Sequence, residues 1–187
     1  FDFEEKRIIN TNDCPFELAE ITIKENLLDT KNVDLLLVGY GGAGPYPQCF
    51  EFENLHEKLC AAKEKQIHFL DLAVKFIKLI KPISYAPFAG TYILGSKFSN
   101  LTKYRGVPSL NEALLYLQEK LPNISKGLLL EKFDSYDVES NILTKHTKKF
   151  NKTLAEYTEE IKKHSLDYDK DNWNDDELTE LLQRSYK

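Results

Sequence analysis

The stretch DLLLVGYGGAGPYPQCF, Asp34 to Phe50, sets an aliphatic run directly ahead of clustered glycines, and Gly39, Gly41 and Gly44 fall at G-x-G-x-x-G spacing. After a strand, that spacing lets backbone amides approach a pyrophosphate at the start of a helix. The following residues argue against a dinucleotide site. Pro45 and Pro47 supply no N–H donors, and the next strand candidate, ISYAPFAG, carries no carboxylate to hold a ribose. A structural loop, with glycine serving tight turns, accounts for the same spacing.

Other chemistry is sparse. The four histidines are His56, His68, His146 and His164. His56 and His68 lie more than three turns apart on one helical pattern, too far to share a metal within one chain. No H-x-H, H-E-x-x-H or C-x-x-C occurs, so a complete zinc site is not legible within the chain. Nucleophilic catalysis has no G-x-S-x-G elbow, and Cys14, Cys49 and Cys60 have no histidine in a recognisable arrangement. What remains is three loops at the ends of strand candidates: NTNDC (10–14), GYGGAGPYPQC (39–49) and PFAGTY (87–92). In an open α/β sheet, ligands collect outside the carboxyl ends of the strands. Asp13 is the only carboxylate in these loops, placed either to cap the next helix or to ligate a metal.

The elements that position these loops follow from periodicity. FDF and KRIIN read as a short hairpin or two strand ends, and PFELAEITIKENLL as a helix with Phe16, Ala19, Ile23 and Leu27 at helical spacing. VDLLLV is a continuous apolar run of strand length, expected to be covered on both faces. Residues 53–80 predict one helix of about 28 residues, with Leu55, Leu59, Ala62, Leu70, Val74 and Ile77 on a single stripe. Pro82 stops it, and ISYAPF is the next buried strand, giving a parallel crossover. Ser109 is placed to cap the helix LNEALLYLQEKL, and GLLLEKF is a further strand candidate. Past Asp134 the chain turns polar, with helices expected in KTLAEYTEEIKKH and DDELTELLQRSY.

With 187 residues and 42% apolar content, the chain has material for one core and a tail. A net charge of −5 without clustered Lys and Arg argues against a nucleic-acid surface. No apolar run approaches the ~20 residues that span a bilayer. Three cysteines are too few, and odd in number, for a disulfide framework, which points to a reducing, cytoplasmic setting. The chain opens on FDFEEKRIIN without Met, so a fragment is expected.

RIINTNDC, VDLLLVGYGGAGPYPQCF and KPISYAPFAGTYILG, in this order, resemble the second half of metallo-β-lactamase-fold proteins. The nearest branch is the lactamase-fold module of CMP-N-acetylneuraminate hydroxylases and related bacterial metallohydrolase-like proteins. The resemblance covers 1–135 and implies an α/β architecture, the C-terminal half of a four-layered αββα sandwich, with 136–187 as a mostly helical charged extension. It implies part of a metal-dependent hydrolase acting on an anionic substrate, such as a sugar nucleotide or phosphodiester; the alternative is a catalytically degenerate binding or docking module. Asp13 matches the family's metal-bridging aspartate, for zinc or iron. Tyr40, Gly41, Gly42, Tyr46, Gln48, Phe88, Ala89 and Tyr92 would line the substrate site. Two departures stand out: the H-x-H-x-D-H loop of the first half does not occur, and Ala89 stands where hydrolytic members carry a histidine in P-x-H. The expected partner is the missing first half of the fold or a second copy, since this chain alone cannot cover both sheets of a sandwich.

Overall fold

The computed structural model describes residues 1–3, 5–26, 32–147 and 153–170. It is a mixed α/β protein built on a five-stranded sheet. In chain order the elements are β1 (Asp2–Phe3), β2 (Lys6–Asn10), α1 (Phe16–Asn26), β3 (Leu35–Gly39), α2 (Leu55–Ile80), β4 (Ser84–Phe88), α3 (Leu110–Lys120), β5 (Lys126–Gly127), β6 (Ser135–Asp137), β7 (Ile142–Thr144) and α4 (Leu154–Ile161). A 3₁₀ stretch covers Ser96–Tyr104. Contacts divide the chain into two compact units, Phe1–Tyr92 with Lys103–Asn151, and Ile93–Thr102 with Lys152–Lys187.

The sheet runs β1-β2-β3-β4-β5. β1 pairs antiparallel with β2, as the hairpin reading of FDF and KRIIN predicts, and the other pairings are parallel. The central register sets Leu36 opposite Tyr85 and Leu37 opposite Ala86. Each parallel crossover steps one strand over in the same direction. Crossovers of one hand must then deliver all their helices to one face of the sheet. The packing agrees: Leu36, Val38 and Tyr85 meet Ile23 of α1, Val74 and Ile77 of α2 and Leu114 and Leu117 of α3 in one cluster. The alternate residues Leu35 and Ala86 point the other way and pack with Leu128, Tyr136 and Val138. This period of two follows from strand geometry, and it explains why DLLLV is apolar throughout.

The hairpin β6–β7 reaches that second face, where Ser84 Oγ lies 2.9 Å from the Tyr136 hydroxyl. Residues 135–144 give no helical or apolar signal, and their strands are seen only in three dimensions. Tyr136, the residue that seats the hairpin, is a single aromatic in a polar run.

Helix ends mostly obey local chemistry. Asn54 accepts from the Glu57 amide at 2.9 Å to start α2, and Lys81 in the left-handed region ends it before Pro82. Ser109 and Glu112 form a reciprocal capping box on α3, as do Thr153 and Glu156 on α4. Three expectations need correction. Asp13 does not cap α1: the carbonyl accepting the first helical N–H, from Ala19, is that of Pro15, so Asp13 lies two residues outside. Leu55 and Leu59 are 64% and 50% exposed, so the buried apolar stripe of α2 begins only at Ala61 and Ala62. GLLLEKF contributes only its first glycine to β5, although Leu128 N still donates to Tyr85 O at 2.8 Å. The expected helix DDELTELLQRSY lies outside the described residues. Among the described residues no helix is long and apolar enough to cross a membrane.

Candidate functional site

The carboxyl ends of β2, β3 and β4 lie side by side because the three strands are in register, and their loops are the three singled out by sequence. α2 begins at Leu55, well after Gly44, so the glycine spacing does not open a helix as a pyrophosphate cradle requires. The glycines are instead points of close packing. A Cβ on Gly42 would stand 2.3 Å from Cζ of Phe69, and one on Gly41 2.8 Å from a Val107 methyl. A Cβ on Gly90 would meet the Tyr40 ring at 2.4 Å. Gly44 has open space around it.

Two lysines of α2 hold the loop down. Lys65 Nζ donates to the carbonyls of Tyr46 and Gly44, at 2.7 and 3.2 Å. Lys58 Nζ donates to Phe50 O at 2.9 Å and lies 5.0 Å from the Tyr104 ring centroid. Burial lowers the Lys65 pKa from its ordinary value. Gln48 Nε2 donates to Gly44 O at 2.8 Å, which defines its amide orientation, because only the nitrogen can donate to a carbonyl.

Behind this loop sits a residue that no motif announced. Arg105 is only 6% exposed, and its Nη1 donates to the Tyr92 carbonyl. Among the described residues no carboxylate pairs with it; Glu112 acts on it only at a distance. Burial pulls the guanidinium pKa down, while Tyr92, Tyr40 and Glu112 pull it back. Tyr40 is buried and shares a 2.8 Å hydrogen bond with the Thr91 hydroxyl. Burial raises the phenol pKa of both Tyr40 and Tyr92, with Arg105 opposing the rise in each and Gln48 opposing it in Tyr92. Gln48 Oε1 is buried and without a hydrogen-bond partner, and the buried Tyr92 hydroxyl faces the Gln48 side chain. Arg105 and Gln48, linked through Tyr92, therefore bring a buried cation with no direct ion pair among the described residues together with an unpaired buried acceptor, Gln48 Oε1.

The sequence-derived lining residues separate into three groups. Gln48 and Tyr92 join Arg105. Tyr40, Gly41 and Gly42 lie behind the loop as packing. Tyr46 is exposed and touches Phe50 and Phe52, ring centroids 5.5 and 6.0 Å away, while Phe88 and Ala89 lie on the surface, Ala89 in the left-handed region at φ 50°. Arg105 was missed because it lies on the far arm of the long β4–α3 connection. The legible signal is YRGVPS, an arginine beside a glycine just before the Ser109 cap.

Asp13, at φ 57°, is exposed, and its carboxylate accepts from Asn12 Nδ2 at 3.0 Å. Among the described residues no three His, Cys, Asp or Glu side chains converge to hold a metal ion. The described residues of this chain do not by themselves fit a metal centre. No family model matches the sequence, and no curated protein and no solved structure matches it.

Proposed function

We propose that this chain is a binding module of lactamase-type architecture, and that the carboxyl edge of its sheet takes a small anion. The observation that carries this reading is the buried Arg105 guanidinium, which forms no ion pair among the described residues and feels Glu112 only at a distance. A buried charge without a direct ion pair is costly, and a site that keeps one is suited to a ligand of opposite sign. A guanidinium also presents a planar fork of donors matched to carboxylate and phosphate.

Helices α1, α2 and α3 on a single face support the finer reading, one half of an αββα sandwich, because such a half turns its second face to another sheet, and here the β6–β7 hairpin packs on part of that face. Ile8 and Leu37 on that face are half-buried. The first half of the fold, or a second copy, would complete it.

A second reading, a metal-dependent hydrolase acting on an anionic substrate, draws on the exposed Asp13 carboxylate at the end of β2. It requires the histidine ligands to come from outside the described residues. Two measurements test and separate these readings. Titration calorimetry with inorganic phosphate should show binding in wild type and loss of at least tenfold in Arg105→Ala. Elemental analysis of wild type and Asp13→Ala should show no stoichiometric zinc or iron in either; metal in wild type that disappears in the variant would establish the hydrolase reading instead.

A further inference from the structure

We infer that the ligand is an organic oxyanion with a hydroxyl or amine donor beside its anionic group, the anion meeting Arg105 and Tyr92 and the neighbouring donor meeting Gln48 Oε1. This inference rests on the anion-site reading and adds to it a specificity residue. Gln48 is 1% exposed, and its Nε2 is committed to Gly44 O, so its oxygen is the acceptor aimed away from the loop anchor. That oxygen has no partner. A buried acceptor left unmatched is destabilising. An anion alone brings no donor to it, whereas a 2-hydroxy or 2-amino acid, or a phosphate ester carrying a free hydroxyl, brings both functions at once.

Tyr92 ties the two ends together. Its carbonyl receives Arg105, and its phenol feels the Arg105 charge and lies in hydrogen-bond reach of the Gln48 side chain. A phenol donates as well as accepts, so its O–H can serve the anion while Gln48 reads the adjacent donor. A site built around such a hydrogen bond discriminates strongly against analogues that lack the hydroxyl, since its own polar group is then stranded.

The test is titration calorimetry with two matched pairs, lactate against propionate and glycerol phosphate against propyl phosphate. A guanidinium accepts either kind of oxyanion, so both are offered. The expected result is a preference of about tenfold for the hydroxylated member of at least one pair, equivalent to ~1.4 kcal/mol. Gln48→Lys keeps a donor for Gly44 O and removes the acceptor, and should abolish that preference whatever its added charge does to overall affinity. Tyr92→Phe should weaken both members alike and leave the preference. Equal binding within both pairs by wild type, or a preference that survives Gln48→Lys, overturns this inference while the anion site stands. No binding of any of the four compounds overturns the anion site as well.

Discussion

Lys65 Nζ lies 2.7 Å from the carbonyl oxygen of Tyr46 and 3.2 Å from that of Gly44, so one side chain of α2 ties down two points of the glycine-proline loop. Its stem runs against Gly106, where a Cβ would stand 2.4 Å from Lys65 Cδ. A charged donor to a carbonyl contributes about 1.5–3 kcal/mol when buried and less when half-exposed, as here. Lys65→Met should keep the stem and lose about 1 kcal/mol, with faster proteolysis of residues 44–50 than in wild type. Unchanged cleavage there would mean that Gln48 and Lys58 hold the loop without it.

The glycines of the loop should respond unequally to alanine. Gly42→Ala drives a methyl into the Phe69 ring and should cost roughly 1–3 kcal/mol by overpacking. Gly44→Ala meets open space and should be close to neutral. Urea unfolding midpoints of the two variants measure this. A nucleotide cradle would show the reverse pattern, intact stability with lost affinity.

On the second face of the sheet, Tyr136→Phe removes the hydroxyl that sits 2.9 Å from both Ser84 Oγ and Asn141 Oδ1. Ser84 is fully buried, so its own hydroxyl is then stranded. The expected loss is about 1–2 kcal/mol in denaturant unfolding, and Ser84→Ala together with Tyr136→Phe should cost less than the sum of the two.

Acid should act on the turn before β6. Lys145 and the amides of His146 and Glu131 hold the Asp134 carboxyl down at about 2, from 3.8. Because the folded value lies below the unfolded one, the contribution is complete above about pH 4 and is lost as pH falls through about 2. The amide of His146, which donates to Asp134 at 2.9 Å, should keep its protection from hydrogen exchange at pH 4 and lose it near pH 2. In Asp134→Asn that pH dependence should vanish.

Helix and strand periodicity made most of the parallel core legible: β2, β3, α2, β4 and α3 appear where the apolar patterns place them, because buried strands and amphipathic helices write their burial into residue type. Caps at Asn54 and Ser109 act within a few residues, so they too can be read locally. The three strand-end loops were likewise visible, and with them Gln48 and Tyr92. Tertiary structure decided the rest. Only the strand order, which no local pattern encodes, sends α1, α2 and α3 to one face and leaves the other to the hairpin held by Tyr136. Arg105 becomes a buried cation only when residues apart in sequence, Tyr40 and Tyr92, close around it, since burial is a property of the packed chain and not of an arginine in a loop.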